Sequence, residues 1–296
     1  MSSIENVSTI AIPRASFWAC WISPVFVIAY LTVKEATRRW AFIGGLLLGA
    51  GMMALLAYVF ANVRRHGEFL PAEVQASLVV HFGLVMTRFF SAVMATALAC
   101  GAISTELERG TLTLVVAKPI RRWQIVVGKW LGFAFVLTLN QLIWLSVIEW
   151  GAWNRLGDWH WGVWKAGALG LLYPMLFLSL NLLLSVHLPW IFVALISLVF
   201  MGIGWSETAM RNIGTLANLP RLLTLSQIAG YLMPTGKLAR WMVVESEVLD
   251  IVPKLSGPPG VEMPIPTFAD LLYIIVYIFG LLLLACWLFG RKEITS

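Results

Sequence analysis

Residues Gly101 to Leu131 read GAISTELERGTLTLVVAKPIRRWQIVVGKWL, a stretch dense in charge and turn chemistry set between apolar runs that are almost free of charge. It holds Glu106, Glu108, Arg109, Lys118, Arg121, Arg122 and Lys129 in one short connection. A short basic loop between two apolar spans belongs on the cytoplasmic side of a membrane, because Lys and Arg resist translocation. The flanking runs therefore decide the fold, and whatever this loop touches decides the function.

The length, 296 residues, would suit one or two soluble domains, but 59% hydrophobic and 12% charged residues with a mean hydropathy of +0.83 exclude that class. The chain reads as an all-α polytopic membrane protein. A net charge of +6 raises nucleic-acid binding, yet no Lys/Arg cluster is interleaved with aromatic residues, and the basic residues punctuate the apolar runs. Topology accounts for them, and no nucleic-acid partner is expected. Cys20, Cys100 and Cys286 lie far apart, which leaves neither a disulfide framework nor a CxxC site. Only Arg14 precedes the apolar run Trp18 to Val33 and no small-residue cleavage site follows it, so a cleaved signal peptide is not expected.

Working outward, six spans are expected: Ala41 to Ala61, Leu78 to Ile103, Leu131 to Trp150, Val163 to Val186, Trp190 to Trp205 and Phe268 to Phe289, within a membrane domain of residues 41–289. Residues 1–40 form a cytoplasmic N-terminal segment, and residues 290–296 a basic cytoplasmic tail. Residues 18–33 read either as a short seventh span interrupted by Pro24 or as an interfacial helix. In the second reading Phe26, Tyr30 and Val33 sink into headgroups and Lys34, Arg38 and Arg39 stay wet, and this reading is preferred. Gly45 and Gly49 stand at GxxxG spacing. Trp150, Trp153, Trp159, Trp161 and Trp164 crowd one turn, as indoles do at a membrane surface. The longest polar excursion, 206–267, is expected as a large outer loop, helical in its first part and proline-broken at its end. Both termini and the loop 101–131 then face the cytoplasm of a multi-pass inner-membrane protein.

Several tempting chemistries fail. Gly128-Lys129 and Gly236-Lys237 lack the second Gly and the Ser/Thr of a phosphate loop. His66, His81, His160 and His187 are isolated, so no metal site is expected, and no nucleophile with its base can be picked out. The chain is not expected to be an enzyme or to bind a cofactor itself. Polar groups inside spans are costly and hence informative. Arg88, in the outer half of the second span, and Glu149, near the outer end of the third, form a candidate intramembrane pair, unless each snorkels to the nearby interface. In the central loop, Thr105-x-x-Glu108 has capping-box spacing and starts a short helix, parallel to the membrane, that Pro119 stops. Arg121, Arg122 and Lys129 are candidate anchors at an anionic inner surface.

The run Glu106-Leu-Glu-Arg-Gly-Thr-Leu, then Lys118-Pro119-Ile-Arg121-Arg122, then Val127-Gly128-Lys129, resembles the ABC-2 type permease pattern E-x-E-x-G-T-L, P-x-x-R, G-K. Val33-Lys34-Glu35-Ala36-x-Arg38 resembles that family's N-terminal elbow helix, and Leu288-Phe289-x-Arg291-Lys292-Glu293 its basic end after the last span. The likeness is strongest to the branch associated with multi-copper enzyme maturation. It implies a six-span permease subunit of an exporter that pairs with a second copy or a paralogue and docks a separate cytoplasmic ATPase, which binds the ATP. Thr105, Glu106, Leu107, Glu108, Arg109, Gly110, Thr111, Leu112 and Pro119 would then form the coupling segment that meets the ATPase, with membrane lipids as the remaining partners. A reading from a different class stays open: a non-transporting membrane scaffold or sensor that binds a partner protein through its outer loop.

Overall fold

In a computed structural model of the chain, the described residues are 17–38, 42–47, 49–51, 54–55, 58, 71–108, 121–246 and 267–292. They contain no strand. Besides the apolar helix Phe42–Gly51, the helices among the described residues are α1 (Phe17–Arg38), α2 (Ala72–Ala99), α3 (Ser104–Glu108), α4 (Arg122–Leu156), α5 (Trp161–Gly170), α6 (Leu172–Ser185), α7 (Trp190–Leu216), α8 (Pro220–Leu232), α9 (Thr235–Glu245) and α10 (Phe268–Arg291). Among the described residues, five helical segments are long and apolar enough to cross a membrane: Glu73–Glu106, Arg122–Asn154, Trp161–Ser185, Trp190–Leu216 and Phe268–Arg291. The first expected span, Ala41 to Ala61, is described chiefly at the apolar helix Phe42–Gly51. The fold class is that of an all-α polytopic membrane protein.

The segment Trp161–Ser185 is the axis of the bundle, with 67% of its apolar window buried against 22% for Trp190–Leu216 and for Phe268–Arg291. Its one interruption, Leu171, comes where Pro174 has no N–H to give the Gly170 carbonyl. Around it α2, α4 and α10 contribute Leu98, Phe133, Leu137, Ile274 and Phe289 to one core with Tyr173 and Phe177. Small residues bring the other helices close. A Cβ on Gly49 would stand 2.7 Å from Trp144 Cζ2, and one on Gly45 2.6 Å from Met94 Cγ, so the GxxxG spacing packs against α4 and α2. On α4, Gly128 and Gly132 take α1, where a Cβ on Gly132 would stand 2.7 Å from the Ala29 carbonyl oxygen.

The expected outer loop 206–267 is largely something else. α7 runs on past Trp205 to Leu216, because Glu207 and Arg211, one turn apart, neutralise each other at 2.9 Å. A reading by hydropathy stops at those charges. α7 then ends with Asn218 in the left-handed region (φ 49°), with Leu219 N–H donating to Gly214 O at 2.9 Å. Pro220 opens α8 at a position where its missing N–H costs nothing. α8 returns along α7 and the chain reverses at Met233-Pro234, where Met233 and Thr235 pack against Gly204. Gly204 lies ten residues before Gly214, so the hairpin penetrates about 15 Å along α7. α9 then climbs back along α5, with Met242 in a small cluster beside Leu145, Ile148 and Val163. Tyr273 and Tyr277 of α10 donate to the Tyr231 and Leu232 carbonyls at 2.7 and 2.8 Å, which closes the end of α8. The proline-rich part of the expected loop, 247–266, lies outside the described residues.

Candidate functional site

The charged end of the bundle is built from the close of α2, from α3 and from the start of α4. Residues 100–103 form turns rather than a break, with Cys100 N–H donating to Thr96 O at 2.9 Å and Thr105 N–H to Gly101 O at 3.3 Å. α3 therefore follows α2 as nearly one rod, Glu73–Glu106. This corrects the expected capping box: Thr105 lies inside α3, and its hydroxyl donates back to the Gly101 carbonyl. The preceding turn already satisfies the first N–H groups, so no cap is needed. Glu106 Oε1 accepts from Lys129 Nζ at 2.6 Å, and Lys129 is only 5% exposed.

Lys129 is thus no surface anchor. α4 begins at Arg122, so Arg122 and Lys129 belong to the helix and not to the loop in which they were expected. Gln124 Oε1 accepts from the Arg121 N–H at 2.9 Å and secures that start. Arg122 donates to the Lys292 carbonyl, and Lys292 Nζ to the Val186 carbonyl, which joins the beginning of α4 to the ends of α10 and α6. A cation at the last carbonyls of a helix also suits its dipole. Arg121 alone of the three expected anchors is exposed. Arg109, Gly110, Thr111, Leu112 and Pro119 lie outside the described residues, as do the side chains of Leu107 and Glu108.

Residues 26–294 match the family described as ABC-2 family transporter protein. The chain belongs to that family. No curated protein matches it. The permease is accordingly a multi-pass membrane protein and a membrane subunit of an ABC transporter. The match carries the family and not the maturation branch. Among its described residues, no three His, Cys, Asp or Glu side chains are grouped so as to hold a metal ion.

The expected Arg88 to Glu149 pair does not form in the permease. Glu149 Oε1 accepts from the His160 backbone N–H at 2.7 Å, because the α4 to α5 turn folds back over it. A place in the same half of two spans does not fix the direction in which each side chain points. Arg88 instead lies within electrostatic reach of Tyr173 of α6, whose hydroxyl accepts from Trp205 Nε1 at 3.1 Å. Lower in the bundle, Thr96, Asn181 and Ser197 join α2, α6 and α7, with Thr96 and Ser197 oxygens 2.8 Å apart and Asn181 Nδ2 3.2 Å from each.

The sequence reading missed the most heavily buried charge among the described residues. Glu207 is fully buried and its Oε1 accepts from Arg211 at 2.9 Å and from Arg240 of α9 at 3.0 Å. The Glu207 to Arg211 spacing was a local signal for half of this triad, while Arg240 reaches it only through the hairpin. Lys237 donates to Asp270 at 2.7 Å and stands 5.2 and 5.3 Å from the ring centres of Tyr231 and Tyr273. The hairpin is consequently held to α7 on one side and to α10 on the other.

Proposed function

We propose that this permease subunit works in an ATP-driven exporter, with α3 facing the cytoplasm and receiving the stroke of a separate ATPase that binds the ATP. The observation that carries the reading is the tie between α3 and the bundle: a nearly continuous rod from Glu73 to Glu106, with Glu106 ion-paired to the buried Lys129. A push on α3 reaches both α2 and α4 without passing through a slack loop. A second permease copy or a paralogue completes the pathway. The scaffold reading loses support, since residues 220–245 fold back against α5, α7 and α10 instead of projecting as a partner-binding loop.

The test reverses charge at α3. Glu106→Lys with Glu108→Lys is expected to insert and to co-purify with a second copy, but to lose ATP-driven transport in the reconstituted complex. Glu68→Lys with Glu73→Lys, the second of them in the first turn of α2, is the matched control and is expected to behave as wild type. Exchanging the ion pair, Glu106→Lys with Lys129→Glu, separates the two roles of Glu106: restored stability without restored coupling identifies direct contact with the ATPase. Wild-type hydrolysis and transport in the Glu106/Glu108 variant sink the assignment.

A further inference from the structure

We propose that Arg88 anchors an intramembrane anion site, which takes the carboxylate or phosphate head of an amphiphile moved by this permease; the site rests on the transport reading and names its substrate class. Arg88 lies sixteen residues from the start of α2 at Ala72 and eleven from its end at Ala99, about 24 and 16 Å along the helix, and so in the interior of its span. A guanidinium does not shed its proton in a protein, and a charge at that depth is normally paired.

Arg88 has no such pair. Its side chain donates to no acceptor among the described residues, and its Nε is buried and unbonded. The acidic groups of the spans are engaged elsewhere: Glu106 by Lys129, Glu149 by the His160 amide, Glu207 by Arg211 and Arg240, and Asp270 by Lys237. Glu73 is exposed at the end of α2. A cation in the interior of a span, with its Nε buried and no counter-charge beside it, is disfavoured unless something supplies the anion.

The surroundings suit an anionic head on an apolar tail. Arg88 lies within electrostatic reach of Tyr173, whose hydroxyl accepts from Trp205 at 3.1 Å, and its chain neighbour Phe89 meets Trp205 edge to face at 5.5 Å between centroids. Arg88 is only partly buried and Trp205 is 46% exposed, so this flank is open to a ligand. A planar guanidinium can take two oxygens of a carboxylate or phosphate at once, while the indole and phenyl faces offer apolar area to a chain.

The full chain in phosphatidylcholine nanodiscs is titrated with dodecanoate, dodecyl phosphate and dodecanol, and binding is followed by calorimetry. The two anions are expected to bind about tenfold or more tighter than the alcohol, as a charge-assisted hydrogen bond implies. Arg88→Gln is expected to remove that preference and leave dodecanol binding as it was. Arg88→Lys, which keeps the charge but not the fork, is expected to retain part of it and carries the test if Arg88→Gln cannot be recovered from membranes. Equal binding of the three probes to wild type, or an anion preference that survives in Arg88→Gln, overturns the site. Nanodiscs that contain phosphatidylglycerol distinguish the source: competition points to a lipid headgroup, and its absence to a free amphiphile. The binding arm needs no ATPase, so its failure leaves the transport reading standing. Intact binding without ATP-dependent movement of dodecyl phosphate in the reconstituted complex counts against the transport reading and spares the site.

Discussion

Glu207 is a single carboxylate shared by two arginines, and this asymmetry sets what its loss does. Removing either arginine leaves one balanced pair, whereas removing the carboxylate leaves Arg211 and Arg240 facing each other in a buried setting. Glu207→Gln is expected to destabilise the protein by about 3 kcal/mol, near the lower end for a broken buried pair, since Arg211 is 23% exposed and can turn toward solvent. Arg211→Gln is expected to cost about 1 kcal/mol, as for a partly screened pair. Thermal unfolding in detergent ranks the variants, and equal losses would show that the carboxylate is not what holds the hairpin. Gly45 and Gly49 give a second contrast at this scale. A methyl on Gly45 meets the flexible end of Met94, which can yield, and one on Gly49 meets the rigid indole of Trp144. Gly49→Ala is expected to cost about 2 to 3 kcal/mol and Gly45→Ala about 1. Gly44→Ala, with nothing within 4 Å, is the neutral control. If Gly45→Ala and Gly49→Ala unfold at the same temperature as Gly44→Ala, these glycines do not set the helix spacing.

At the scale of elements, five of the six expected spans were legible because apolar runs of sufficient length have few other uses, and the charged connection because it interrupts them. The start of α4 was placed nine residues late, since Arg122 and Lys129 look like loop residues until Glu106 and the Lys292 carbonyl are seen to receive them. Those partners lie 23 and 170 residues away, beyond any local pattern. The end of α7 was placed early for the same reason, with Glu207 and Arg211 taken as the close of a span when each supplies the other's counter-charge. The helical character of Pro220 to Met242 could be read, but its return into the bundle could not. Amphipathic periodicity says that a face is apolar without saying what it meets.

At the scale of the whole molecule, the direction in which the bundle sits is open to a labelling experiment in a background lacking Cys20, Cys100 and Cys286. Ser104 is a poor reporter because it is buried, and the exposed Arg121 replaces it. Arg121→Cys is expected to react only from the cytoplasmic side and Asp158→Cys, exposed at the α4 to α5 turn, only from the opposite side. Reaction of both from one side would overturn the proposed arrangement. The clasp of Tyr273 and Tyr277 on the end of α8 also bears on how the protein is made. The ribosome completes the hairpin before it synthesises the helix that closes it. A nascent chain halted before Phe268 would hold its hairpin with the Tyr231 and Leu232 carbonyls uncovered. Final docking of the hairpin is therefore a late event of biogenesis, reached only after α10 has left the insertion machinery, and a chain that stalls before that point offers membrane proteases an unfinished segment to recognise.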